Sequence, residues 1–78
     1  MNETEIRQAI AEVIAGIAPE ADLSTVGDDE DLRDALDLDS MDFLNVLIAL
    51  HERTGVTIPE ADSGKLRTLR GIVAYLRR

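Results

Sequence analysis

The sequence predicts an all-α fold, a small four-helix bundle with a long loop between helices 1 and 2 and a short third helix. Two observations predict it. Apolar residues recur every three or four positions in three segments, and no segment alternates as a strand would. The 78 residues are 45% hydrophobic, which is ample for a packed core. Because a chain of this length has no room for a second core, we expect one domain over residues 1–78.

The first helix is predicted over residues 4–17. Asn2 or Thr4 can cap its start, because a short polar side chain there accepts a hydrogen bond from an unpaired backbone N–H. Its apolar face has helical spacing and consists of Ile6, Ile10, Val13, Ile14 and Ile17.

The connection over residues 18–39 is longer than compact domains usually carry without a function. Apolar residues punctuate it and can hold it against the core, and residues 31–36 can form a single helical turn. These apolar residues are Leu23, Val26, Leu32, Leu36 and Leu38.

The second long helix is predicted over residues 40–54 and ends at Gly55. On a helical wheel its apolar residues cover roughly 220°, well beyond the stripe of about 100° that one core face requires. We therefore expect Met41, Leu44 and Ile48, at the edge of that arc, to be exposed. Exposed apolar patches tend to mark binding surfaces.

The remainder of the chain is predicted to hold one extended and two helical segments. Residues 56–59 are extended, and residues 60–66 form one or two turns of a third helix, interrupted near Gly64. Thr68 caps the last helix, whose inner face consists of Leu69, Ile72, Val73 and Leu76.

Composition and charge exclude several functions. The net charge is −8, divided into −13 over residues 1–64 and +5 over residues 65–78. An acidic body disfavours nucleic acid as a partner and favours brief docking on basic surfaces, although solubility alone also explains it. The absence of cysteine, of a signal peptide and of a long apolar run predicts a cytoplasmic protein without membrane insertion.

Ser40 stands between acids at the predicted start of the second long helix. An anion attached there is favoured by the helix dipole and by free backbone N–H groups. Either Ser40 or Asp39 can be the N-cap. A hydrolase is excluded, because the single histidine, His51, lies three turns away and cannot activate the hydroxyl. We expect a backbone group or water to satisfy His51.

A dedicated metal site is not predicted, although acids cluster between residues 28 and 42. An EF-hand loop begun at Asp37 would place Met41 at a ligand position, Asp42 where glycine is needed and Ile48 where the bidentate glutamate belongs. The pattern fails at all three positions.

Two sequence elements together resemble the acyl carrier protein family in order, spacing and total length. The first is Leu36-Asp37-Leu38-Asp39-Ser40-Met41-Asp42, followed by the apolar helix. The second is Gly55-Val56-Thr57-Ile58-Pro59-Glu60-Ala61-Asp62.

The resemblance implies a non-catalytic carrier whose Ser40 is esterified by 4′-phosphopantetheine from coenzyme A. The thiol of that arm would hold an acyl group as a thioester. The docking surface it implies consists of Asp39, Met41, Asp42, Leu44, Ile48 and Glu52. The acyl-chain cavity it implies is lined by Phe43, Val46, Leu47, Leu50, Ile58 and Leu66.

The implied partners are a phosphopantetheinyl transferase, an acyl-loading ligase or transacylase, and synthases or acyltransferases of fatty acid, lipid or specialised-metabolite synthesis. Asn45, His51 and Arg53 stand where the resemblance to carriers of bacterial fatty acid synthesis implies carboxylates, which favours a specialised carrier. We also expect the protein to be a monomer. Two alternatives stay open: a stand-alone aminoacyl or peptidyl carrier, and a helical interaction module without a prosthetic group.

Overall fold

The computed structural model describes residues 1–77, and helices are the only regular structure in that range. The prediction of an all-α fold is therefore confirmed. Arg78, one of the basic residues of the segment 65–78, lies outside the described range. The α-helices are α1 (Glu3–Ile17), α2 (Leu32–Ala35), α3 (Ser40–Thr54) and α4 (Leu69–Leu76), and two 3₁₀ segments span Leu23–Thr25 and Glu60–Leu66.

The first helix, α1, begins at a reciprocal cap. Asn2 Oδ1 accepts from the Glu5 backbone N–H at 2.8 Å, and Glu5 Oε1 accepts from the Asn2 N–H at 3.1 Å. Asn2 rather than Thr4 is thus the N-cap. The buried face of α1 packs on α3 and α4 and consists of Ile6, Ala9, Ile10, Val13 and Ile14.

The long loop is held by the basic end of the chain as well as by its own apolar residues. The Leu32 N–H donates to the Arg67 carbonyl at 2.7 Å, and the Arg70 N–H donates to the Asp28 carbonyl at 3.0 Å. Leu32 is fully buried. The loop therefore follows a fixed path across the start of α4 and leads into α2, the single turn predicted near residues 31–36.

The turn between α2 and α3 is closed by a backbone bond. The Leu38 N–H donates to the Arg33 carbonyl at 2.9 Å, and Leu38 itself is buried. Asp37 between them has φ 54°, a left-handed conformation that aspartate tolerates better than most residues. This motif fixes the path of the chain into Ser40.

The segment predicted as an interrupted third helix is a continuous 3₁₀ helix, Glu60–Leu66, so the predicted break near Gly64 is wrong. Leu66 is fully buried, and the Tyr75 hydroxyl donates to Asp62 Oδ2 at 2.8 Å. These tertiary contacts outweigh the low helical preference of glycine. Thr68 caps α4 as predicted, with its Oγ1 accepting from the Gly71 N–H at 3.0 Å.

One hydrophobic core unites these elements. It draws buried side chains from α1, α2, α3, α4 and the second 3₁₀ segment. The predicted inner face of α4 is buried throughout. Among residues 1–77, no helix has both the length and the apolar character needed to cross a membrane.

Candidate functional site

Ser40 is the first residue of α3, and Asp39 is the N-cap. Asp39 Oδ1 accepts from the Asp42 N–H at 2.8 Å, and Asp42 Oδ2 accepts weakly from the Asp39 N–H at 3.5 Å. The structure thus decides between the two caps that the sequence left open. The Ser40 hydroxyl makes no hydrogen bond within residues 1–77, and the residue is exposed. A reagent in solvent can reach this hydroxyl.

The surroundings of Ser40 favour an attached anion. The four N-terminal N–H groups of a helix lack intrahelical acceptors, and α3 is 15 residues long, so its dipole is well developed. Asp39 occupies only the Asp42 N–H. A phosphodiester on Ser40 Oγ would lie at the positive end of α3, which is the arrangement that stabilises phosphate at helix starts.

A groove of about 540 Å³ begins at Ser40 and lies between α3 and the segment 57–63. Its lining includes five residues of the predicted acyl-chain cavity and the predicted docking surface. Phe43, Leu47 and Ile58 come from the predicted cavity, and Leu44 and Ile48 come from the predicted docking surface. The groove is therefore mostly apolar and opens beside a free hydroxyl.

The other three predicted cavity residues do not line this groove. Val46, Leu50 and Leu66 are fully buried in the hydrophobic core. The helical wheel could not separate them from the groove-lining residues, because it gives the apolar arc without showing which neighbour covers each part of it.

The predicted docking residues fall into two places. Met41, Leu44 and Ile48 are 62%, 47% and 46% exposed, which confirms their predicted exposure next to Ser40. Glu52 instead lines a separate depression together with Glu12 and Arg53. The Arg53 guanidinium pairs with Glu12 Oε2 at 3.1 Å on that side of α3.

The charges near Ser40 differ from those in the loop before it. Loop carboxylates are paired: Asp28 with Arg7 at 2.9 Å and Asp29 with Arg70 at 2.7 Å. The hydrogen bond from Arg7 holds the pKa of Asp28 below its ordinary value, and the one from Arg70 does the same for the pKa of Asp29. Arg67 lies 2.6 Å from Asp31.

Four carboxylates closer to Ser40 have no such partner. Within residues 1–77 no lysine or arginine nitrogen lies within 4.0 Å of their oxygens. They are Asp34, Asp37, Asp39 and Asp42. Their negative charge is therefore not neutralised by an ion pair, and two of the four, Asp39 and Asp42, lie with Ser40 at the start of α3.

The single histidine is bound to the backbone, as predicted. His51 Nδ1 lies 2.9 Å from the Val56 carbonyl oxygen. No hydrogen bond joins it to Ser40 within the described chain, although both residues line the groove. Within residues 1–77, no group of three or more histidine, aspartate and glutamate side chains is arranged to hold a metal ion.

Arg33 is a groove residue that the sequence motifs do not single out. It lines the groove with Ser40, and its Nε exposes less than 1 Å² and has no hydrogen-bond partner. The only signal in the sequence is that Arg33 is the single basic residue among the many acids of residues 28–42.

Comparison with known proteins agrees with this geometry. Residues 5–76 match the family model described as phosphopantetheine attachment site. The chain is also 35% identical to the acyl carrier protein of Rhodococcus erythropolis, over 88% of this chain and 71% of that protein. The chain belongs to the acyl carrier protein family. It is 32% identical to the meromycolate extension acyl carrier protein of Mycobacterium tuberculosis, over 100% of this chain and 67% of that protein. The acyl carrier protein of Renibacterium salmoninarum is 33% identical, over 92% and 88% of the two chains.

As a member of this family, the protein is a non-catalytic carrier. It carries acyl groups as thioesters on a covalently bound 4′-phosphopantetheine and works with synthases and transferases. The described residues fit that group, because an exposed hydroxyl stands at a helix start beside an apolar groove.

Proposed function

We propose that Ser40 is the attachment point of the 4′-phosphopantetheine arm. The observation that carries the proposal is the free, exposed hydroxyl at the first position of α3, at the edge of the groove. In the transfer, Ser40 Oγ bonds to the phosphorus nearest the pantetheine and its proton passes to a base on the transferase. The pyrophosphate bond of coenzyme A breaks, and adenosine 3′,5′-bisphosphate leaves with the bonding electrons.

Partners dock on a patch that we define as Asp39, Met41, Asp42, Leu44 and Ile48. It combines three half-exposed apolar side chains with two carboxylates that lack a cationic partner within residues 1–77. A basic partner surface would meet the carboxylates and steer the encounter, while apolar contact would supply affinity. Glu52 lies outside this patch and would serve only partners that also reach the depression shared with Arg53.

The acyl chain enters the groove between Leu44, Leu47 and Ile48 on one side and Ile58 on the other. Phe43 completes the apolar lining. A chain longer than the groove would require Val46, Leu50 and Leu66 to part, since they fill the core behind it. The core that would have to repack is almost entirely aliphatic, since this chain has only two aromatic residues.

We further infer that the protein is a monomeric, cytoplasmic carrier dedicated to one fatty acid, lipid or specialised-metabolite pathway, and that residues 1–78 form its single carrier domain. One relative supports a lipid role by name, the meromycolate extension acyl carrier protein of Mycobacterium tuberculosis. The direct partners are then a phosphopantetheinyl transferase, an acyl-loading ligase or transacylase, and synthases or acyltransferases.

The test is arm attachment in vitro. The protein is incubated with coenzyme A and a phosphopantetheinyl transferase of broad specificity, and intact mass is measured. We expect a gain of one phosphopantetheine that Ser40→Ala abolishes. The matched control is Ser63→Ala, because Ser63 lines the same groove but lies in the 3₁₀ segment. A gain that survives Ser40→Ala, or no gain at all, would refute the proposal.

A further inference from the structure

Arg33 has an unusual environment for an arginine in so acidic a chain. Its backbone is fixed, since its N–H donates to Asp31 Oδ1 at 2.9 Å and its carbonyl accepts from Leu38. Arg33 lines the same groove as Ser40, and its Nε is shielded from solvent and has no hydrogen-bond partner within residues 1–77. Leaving a buried donor of a charged group unsatisfied costs free energy that a bound acceptor would recover.

Four of the other arginines form ion pairs with carboxylates. Arg7, Arg53, Arg67 and Arg70 each lie within 3.1 Å of an aspartate or glutamate oxygen. Arg33 has no carboxylate within 4.0 Å among residues 1–77, although acids flank it in sequence. Its charge thus has no ion-pair partner among residues 1–77, and Arg33 lines a mostly apolar groove, in which an ionic hydrogen bond would be strong.

We propose that Arg33 binds an oxyanion carried by the group on Ser40. Two sources share this chemistry: the phosphodiester of the arm and a carboxylate on the acyl chain. The guanidinium suits either, because its planar set of N–H donors matches phosphate and carboxylate oxygens. The inference rests on the proposed function, since it requires Ser40 to carry the arm.

Glu60 is the acidic side chain in the lining of the same groove. It forms no ion pair with Arg33 in the structure. The Glu60→Gln variant without the arm should therefore show the same Arg33 Nε–Hε NMR resonance as the unmodified wild-type protein. This variant is the control for competition between Glu60 and a bound oxyanion for Arg33.

The experiment follows the Nε–Hε resonance of Arg33 by NMR in four forms of the full chain. These are the unmodified protein, the phosphopantetheine form, and forms loaded with hexanoyl or adipoyl groups, which differ by a terminal carboxylate. Arg77 is the internal control, because it also has no ion pair within residues 1–77 but is exposed and away from the groove. Its signal should be the same in all four forms.

The outcomes separate the two sources. A shift of the Arg33 resonance on arm attachment assigns the phosphodiester. A shift that appears only with adipoyl assigns the carboxylate. Arm attachment, shown by mass, without any shift of Arg33 in the loaded forms overturns this inference while leaving the proposed function intact. No mass gain overturns both.

Substitution gives a second readout. We expect loading of the assigned group to raise the Tm of the wild-type protein. Arg33→Gln should lose that rise, and Arg33→Lys, which keeps the charge, should retain part of it. The unmodified variants should keep the wild-type Tm, because the hydrogen bonds of Arg33 are made by its backbone. An equal rise in Arg33→Gln and wild type would contradict the proposal.

Discussion

Two neighbouring acidic regions of the chain use their carboxylates differently. In the loop, Asp28, Asp29 and Asp31 are paired with Arg7, Arg70 and Arg67. The acids over residues 34–42 have no basic partner within residues 1–77, and Ser40 lies among them. The two regions are adjacent in sequence and similar in composition, yet the first closes the fold and the second faces solvent.

The difference shows that the role of an acidic stretch depends on whether its carboxylates form ion pairs within the molecule. The paired carboxylates join the loop to α1 and to the start of α4, so arginines of the same molecule neutralise their charge. The unpaired ones retain their field and can steer a basic partner towards Ser40. The net charge of −8 is therefore not evenly available to partners: the loop acids are largely neutralised by arginines, whereas the acids of the proposed docking patch are not.

The largest expected contrast is between two leucines, Leu32 directly after the paired acids and Leu44 shortly after the unpaired ones. Leu32→Ala removes a fully buried anchor of the loop and should lower the free energy of unfolding by about 2–5 kcal/mol. Leu44→Ala, at a residue 47% exposed, should change it by less than about 0.5 kcal/mol while slowing arm attachment. Urea denaturation and transferase kinetics measure the two effects. Similar losses of stability would place Leu44 in the core.

A smaller contrast separates charge from capping at Asp39. Asp39→Ala removes the side chain that accepts from the Asp42 N–H and should cost about 1 kcal/mol. Asp39→Asn keeps a good N-cap and removes the charge, so it should remain nearly as stable as the wild type but be loaded more slowly. Thermal denaturation and loading rates on both variants check this. A loading rate unaffected in Asp39→Asn would remove Asp39 from the docking patch.

The pH dependence of stability should depend on the carboxylates that are hydrogen-bonded in the folded protein. Hydrogen bonds from Arg7, Arg70 and the Tyr75 hydroxyl hold the pKa values of Asp28, Asp29 and Asp62 below the ordinary value of 3.8. In the unfolded chain these groups bind protons first as the pH falls. Their contribution is therefore complete above about pH 4–5 and is lost as the pH falls through the folded-state pKa values.

Denaturation between pH 7 and pH 2 measures that dependence. Asp28→Asn should weaken the acid-induced loss of stability, because the variant has one fewer carboxylate whose pKa is lowered by folding. Asp34→Asn is the matched control, because it removes one negative charge without breaking an ion pair among residues 1–77, and its effect on the acid-induced loss should be the smaller one. An equal change in both variants would show that the pairs seen in the structure do not operate in solution.

Local patterns sufficed to predict much of the fold. Periodicity located α1, α3 and α4. Polar residues before apolar runs indicated Thr68 as one cap and left Asn2 and Thr4 as alternatives for the other. Periodicity alone did not distinguish the 3₁₀ segment from an α-helix, because burial of Leu66 and the bond from Tyr75 decide its form. Those contacts join residues far apart in sequence.

The candidate site was also predictable only where local patterns determine it. Ser40 and the exposed Met41, Leu44 and Ile48 follow from the motif and from the width of the apolar arc. Pairing of the loop acids and isolation of Arg33 depend on which elements fold against one another. A helical wheel likewise cannot show that Glu52 lies in the depression beside Arg53.

The most direct test neutralises each acidic region in turn. Asp28→Asn with Asp29→Asn removes paired carboxylates, and Asp34→Asn with Asp42→Asn removes unpaired ones. The measurement is kcat/KM for arm attachment as a function of salt, with the Tm of each variant. We expect the first pair to lower Tm and leave kcat/KM unchanged. The second should lower kcat/KM and its salt dependence with little change in Tm. Equal loss of kcat/KM in both, or loss only in the first, would contradict the account.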